Sequence, residues 1–195
     1  MNDIDICNVG LSLIGATAIA SFDESSTEAA WCKTNYLLIR DTMLSEHAWR
    51  WAEKQVVLTD PVPSPWGDGF LYPLPEETAH VFRCYQTPNQ DGEQANWRRM
   101  GLDVWAAHEG AVYALIMPTD ITEANMPPLF VTVLANRLAV EMSIPLTRSA
   151  KLQASLVATY GEKLARAVSV DSAEGRSERL RVSGPLATAR FTGVT

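Results

Sequence analysis

Along the first fifteen residues the apolar positions fall at Ile4, Cys7, Leu11 and Ile14, the spacing of one helix face, and Gly15 supplies a stop. After the loop "ATAIASFDES", Ser25 and Glu28 stand at capping-box spacing. Cys32, Tyr36, Ile39 and Met43 then repeat at three- and four-residue intervals, which predicts a second, longer helix. At Trp51 the period changes to two. Ala52, Lys54, Val56 and Leu58 separate from Trp51, Glu53, Gln55, Val57 and Thr59, as residues on opposite faces of a strand do.

The middle of the chain keeps this β character. Pro61, Pro63 and Pro65 with Gly67 and Gly69 predict a long irregular loop, and "YPLPEET" reads as proline-constrained before a strand at "AHVFRCYQ". Asp91-Gly92 marks a turn. "NWRRMG", "LDVWAAH" and "AVYALIM" read as further strands of one antiparallel sheet, the last two joined as a tight hairpin at Glu109-Gly110. The helical period returns after "PTDITEANM". Pro127 and Pro128 suit a first turn, Phe130, Val133, Leu134 and Leu138 form a stripe, and Pro145 ends it. Thr147 is placed to cap a fourth helix in which Leu152, Leu156, Tyr160, Leu164 and Val168 recur every four residues up to Gly175.

The expectation is an α+β fold that is mainly a helical bundle of about four helices. Residues 1–50 and 120–175 form the body, 51–119 an inserted antiparallel β projection, and 176–195 a flexible C-terminal tail. The 195-residue length suits one such domain.

Composition narrows the chemistry. A net charge of -7 opposes general nucleic-acid binding, which needs a basic surface, yet it suits a surface past which DNA slides without adhering. Cys7, Cys32 and Cys84 are far apart in sequence, form no CxxC pair and show no zinc spacing, so reduced buried thiols are expected. The start "MNDIDICNVG" lacks the pattern of a secretory signal, and no uncharged stretch has the length of a membrane span. There is no GxSxG elbow, Walker loop or GxGxxG pattern. His47 and His80 stand singly at a helix end and a strand start, as structural histidines do, and His108 precedes a turn, where a solvated side chain is expected. Glu76 and Glu77 neighbour each other on extended chain and so point apart, which leaves them poor candidates for a glycosidase pair. No catalytic, cofactor or metal site is expected.

Six tryptophans are the unusual feature. His47, Trp49 and Trp51 fall where helical pattern gives way to strand pattern, and they are the candidate body–projection junction. Trp66, Trp97 and Trp105 lie in the β region and are candidate interface residues, because Trp is enriched among interface anchors. The last segment carries Arg176, Arg179, Leu180, Arg181 and Arg190 without a clear period, and it is the candidate docking segment.

Several short patterns occur in a set order: N-x-x-L-x-x-I-G at Asn8, Leu11, Ile14 and Gly15; H-x-W-x-W-A at His47, Trp49, Trp51 and Ala52; Y-x-L-P at Tyr72, Leu74 and Pro75; and the M-P-P-x-F helix from Met126 to Ala139. Over about residues 2 to 175 the chain resembles the head-to-tail adaptor proteins of tailed bacteriophages, of the tail tubular protein A type. The resemblance implies a structural protein of the virion neck, present in the host cytoplasm during assembly. It implies a ring, typically of twelve copies, between the portal protein and a downstream tail or nozzle protein, with DNA passing through its centre. No cofactor, catalytic centre or membrane contact is implied. The alternatives are a tail-associated polysaccharide hydrolase using Glu76, Glu77 or Glu109, and a small DNA-binding module.

Overall fold

The protein is described by a computed structural model over residues 1–88 and 94–174. Two helices come first, α1 (Asp3–Ile14) and α2 (Thr27–Glu46). Seven strands follow: β1 (Lys54–Leu58), β2 (Val62–Pro63), β3 (Phe70–Pro73), β4 (Thr78–Tyr85), β5 (Trp97–Met100), β6 (Asp103–Ala106) and β7 (Val112–Pro118). A single 3-10 turn at Glu123–Asn125 leads into α3 (Pro128–Thr147) and α4 (Ala150–Glu174).

The expectation of a mainly helical bundle is overturned. Helical turns make up 47% of the described residues and strands in two antiparallel sheets make up 21%, an α+β mixture. The strands form two sheets rather than one, ordered β1-β7-β4 and β2-β3-β6-β5. These enclose a core of their own, with Leu58, Tyr72, Val81, Cys84, Val104 and Ile116 buried together. A second core gathers the helices around α3, whose Phe130, Leu134, Leu138 and Met142 are fully covered. Met117 of β7 and Phe82 of β4 reach into that second core, so the first sheet shares residues with both.

Helix boundaries follow from capping. Asn2 and Asp5 form a reciprocal box at the start of α1, and Gly15 closes the helix with left-handed backbone (φ 71°). The predicted capping box of α2 is displaced by one residue, because Ser26, not Ser25, accepts the Ala29 N–H at 3.1 Å. Glu28 bonds the Thr27 hydroxyl instead. Pro145 does not end α3. A proline in the last turn leaves only one carbonyl four residues back without its donor, and the helix runs on to Thr147 before Arg148 turns left-handed (φ 55°) and donates to Ile144 O. The cap of α4 is accordingly Ser149, whose Oγ accepts the Leu152 N–H at 3.2 Å. Thr147 points back and donates to Ser143 O at 2.6 Å.

Two β corrections have clear causes. β6 and β7 are sequence neighbours yet lie in different sheets, so Glu109-Gly110 is a crossing between layers and not a hairpin. The tight hairpin is instead β5–β6, with Met100 opposite Asp103 across Gly101-Leu102. The stretches given up to proline also contain strands. β3 (Phe70–Pro73) is one of them: its partner β2 is only two residues long, pairing Val62 with Leu71 and Pro63 with Phe70, so Pro73 extends beyond β2 and its missing N–H is not needed there. The predicted turn at Asp91-Gly92 and the tail residues Arg176, Arg179, Leu180, Arg181 and Arg190 lie outside the described residues.

By length and composition α3 is the one described helix that could cross a bilayer, but 61% of its apolar window is buried. It packs against α1, α2 and α4 as the central helix of the body.

Candidate functional site

The segment that links α2 to β1 is a knot of aromatic and charged contacts. Strand geometry begins at Lys54; Trp51, expected to open the strand, lies in a turn instead. The Trp49 carbonyl accepts from both Ala52 N and Glu53 N at 2.9 Å, which holds that turn closed. Trp49 itself is 2% exposed, and its indole N–H donates to Met43 O at 3.0 Å at the end of α2. The rings of Trp49 and Trp51 both meet Phe130 of α3 edge-on, with centroids 5.0 Å away in each case. His47 stacks edge-on against Trp49 at 4.8 Å.

A residue that no sequence pattern singles out closes the knot. Asp171, near the end of α4, is 6% exposed, and its carboxylate accepts the Arg50 N–H at 3.0 and 3.2 Å through its two oxygens. His47 Nε2 lies 3.3 Å from the same group. A buried carboxylate is held this way by donors that replace its lost water. α2, the linker, α3 and α4 are thereby tied at one point immediately before the first strand. No spacing rule links residue 171 to residue 50, so only a buried acid on an otherwise apolar helix face could have hinted at it.

Glu53 sits at the rim of this knot, and burial pushes its carboxyl above the usual range despite Arg50 and Arg83 nearby. A raised carboxyl pKa means that the folded state holds its proton more tightly than the unfolded chain does. Stability contributed by the neutral form is therefore lost as pH rises through the folded value. Glu53→Gln is expected to raise Tm at pH 7, with the gain shrinking towards pH 4. Thermal melts at the two pH values check this, and a gain that grows on acidification contradicts it.

The three interface candidates do not share a fate. Trp105 is 8% exposed, with its N–H bonded to Asp68 O at 2.8 Å and the Arg98 guanidinium 4.4 Å above its ring, so its surface is already occupied within the chain. Trp97 packs against the sheet core. Only Trp66 stands out, at 64% exposed. Its loop is nonetheless fixed. Ser64 N donates to Gly69 O, Gly67 N to Ser64 O, and Gly69 has φ 63° with no room for a Cβ, which would lie 2.5 Å from Ala106 O and 2.7 Å from the Trp105 ring.

The motifs carrying the resemblance are accounted for by folding contacts. Asn8 grips the loop after α1 by donating to Ile19 O and accepting Ile19 N, both at 2.8 Å. The Tyr72 hydroxyl donates to His108 O at 2.6 Å and accepts Gly110 N at 3.2 Å, pinning the crossing from β6 to β7. No protein-family model matches the chain, and no curated protein matches it.

The carboxylates of the hydrolase alternative are not brought together. Glu76 and Glu77 are on one exposed turn and Glu109 on another, and none lines the clefts described here. One cleft of about 320 Å³ runs between α2 and α3, lined by Trp31, Leu38, Ile39, Arg137 and Glu141. Another of about 220 Å³ lies between the end of α2 and the sheet, by Arg40, Leu44, His80 and Met117. Arg40 there is bound to Glu123 at 2.9 Å. Large apolar side chains are exposed on both the helical body and the sheets, among them Leu13 on α1, Leu37 and Leu38 on α2, Val57 on β1, Val62 on β2, Trp66 in the β2–β3 loop and Leu102 in the β5–β6 turn.

Proposed function

We propose that this chain is a structural head-to-tail adaptor of a tailed bacteriophage, a subunit that assembles as a ring between the portal protein and the next tail component. The observation that carries the reading is the junction itself, where Trp49, Phe130 and Asp171 fix the linker between α2 and β1 to the helical body, with apolar side chains exposed on both the body and the sheets. A subunit in a closed ring must offer two different surfaces to its neighbours at a fixed angle, because an error in that angle accumulates around the ring. The resemblance over about residues 2 to 175 supplies the place in the virion. In this reading DNA passes through the ring without base-specific contact, and the net charge of -7 keeps phosphates from adhering. The tail segment with Arg176, Arg179, Leu180, Arg181 and Arg190 is the proposed portal-docking element.

Electron microscopy of the protein mixed with its portal tests the proposal, through added ring density below the portal. Portal alone after mixing at high concentration contradicts it. Trp66→Ala is expected to leave Tm within a degree or two, since an exposed change costs at most about 0.5 kcal/mol. The same variant is expected to weaken ring assembly by about tenfold or more, as loss of an interface anchor does. A thermal melt of the variant alone checks the first part, and its sedimentation with portal checks the second.

A further inference from the structure

Beside the junction a shallow groove runs between the start of α3 and the last turns of α4, with Trp51, Leu129 and Val170 as its apolar walls. Val170 is 39% exposed, and Trp51 and Leu129 are only partly buried, so the helical body leaves this apolar surface incompletely covered. The ionisable side chains in the wall are two acids, Asp171 and Glu174, with no cation beside them in the groove. Asp171 is engaged by the Arg50 N–H and His47, whereas Glu174 is exposed. Glu174 is also the last described residue, so residues 175–195 set out from the wall of the groove itself.

We propose that the occupant of this groove is the chain's own C-terminal segment, which turns back along α4 and seats Leu180 between Val170, Leu129 and the Trp51 ring, with its arginines beside Glu174. The chain is long enough. From Glu174 back to the level of Ala167 is about 10 Å along the helix axis, and extended chain from Arg176 to Leu180 covers roughly 16 Å. Gly175 stands where a C-terminal glycine reverses the chain. The charges are complementary. Residues 175–195 hold four arginines and one glutamate, while residues 1–174 hold 12 Lys and Arg against 22 Asp and Glu. A cationic segment is therefore drawn to the body, and most strongly where acids line the seat. The tether decides between this segment and the same segment of another copy. A short link holds its end at an effective concentration of about millimolar order, so one leucine seat and a few exposed charges suffice within a chain. Two whole chains, each with net charge -7, repel each other instead. This contact goes beyond the adaptor reading and stands without it; in that reading, the portal has to draw the segment out of the groove.

The full chain with Ser183→Cys is labelled with a nitroxide; Cys7, Cys32 and Cys84 are buried and stay unlabelled. The label is expected to broaden the NMR signals of the Val170 methyl groups and the Trp51 indole N–H. Adding Leu180→Asp is expected to cut that broadening about threefold or more, because only chance encounters of the tethered label remain. Adding Leu186→Asp, in the same segment but beyond the seat, is expected to leave it unchanged. Salt at about 1 M is expected to weaken it, since the charges that hold the segment are exposed. Broadening that survives Leu180→Asp, or that Leu186→Asp removes equally, overturns the proposal. So does broadening found only when spin-labelled chains are mixed with isotope-enriched chains that lack the label, which would place a second copy's segment in the groove.

Discussion

Trp49→Ala is expected to lower stability by about 3–5 kcal/mol, the range for removing a large aromatic from a packed site. In a chain of this size that is a fall in Tm of roughly 6–20 °C. Three losses combine. The indole is almost wholly buried, its two edge-on ring contacts to His47 and Phe130 disappear, and Met43 O loses the N–H that it accepts at the end of α2. The neighbouring Trp51 ring also rests on Phe130, so collapse into the space would disturb a second contact. Trp49→Phe separates the terms: it keeps a ring against Phe130 and removes the N–H, and it is expected to cost about 1–2 kcal/mol. Chemical denaturation of both variants measures this. An alanine variant as stable as the parent would mean that the junction carries no energy.

The helices were legible because each has an apolar face of its own and packs it on a shared core. α1, α2, α3 and α4 all lie where spacing puts them, and the misplacements are at ends, where Ser26 and Ser149 compete with adjacent hydroxyl residues for the same N–H groups. The sheets were less legible. Strand alternation shows which residues face the same way and says nothing about which sheet a strand joins, so β6 and β7 read as a hairpin although they diverge into two layers. Proline hid β3, since its tolerance at Pro73 depends on how short its neighbour β2 is, a fact of pairing and not of composition. Among the candidate site residues, aromatic content marked the junction at Trp49 and Trp51 but could not rank Trp66, Trp97 and Trp105. Exposure depends on what Asp68, Arg98 and Gly69 do to Trp105, and those contacts exist only after the loop has folded.

Asp171 was not legible at all, and it gives the sharpest test of the junction. Asp171→Ala is expected to cost about 2 kcal/mol or more, because the Arg50 N–H and the His47 ring lose their acceptor in a place that water does not freely reach. Part of that cost is offset, since the variant no longer buries a carboxylate. Asp171→Asn retains one amide oxygen for the Arg50 N–H and is expected to recover a good part of the loss. The two contacts differ in what they hold: Trp49 fixes the linker to α2 and α3, and Asp171 fixes it to α4. If both are needed to set the angle at which the sheets leave the body, Asp171→Ala should accelerate hydrogen exchange at Arg50 and at the Ala52 and Glu53 amides of the adjoining turn, while the α1 and α3 amides keep their protection. Unchanged exchange at Arg50 would show that the carboxylate is a passenger, and the stiffness on which ring closure depends would then rest on the aromatic contacts alone.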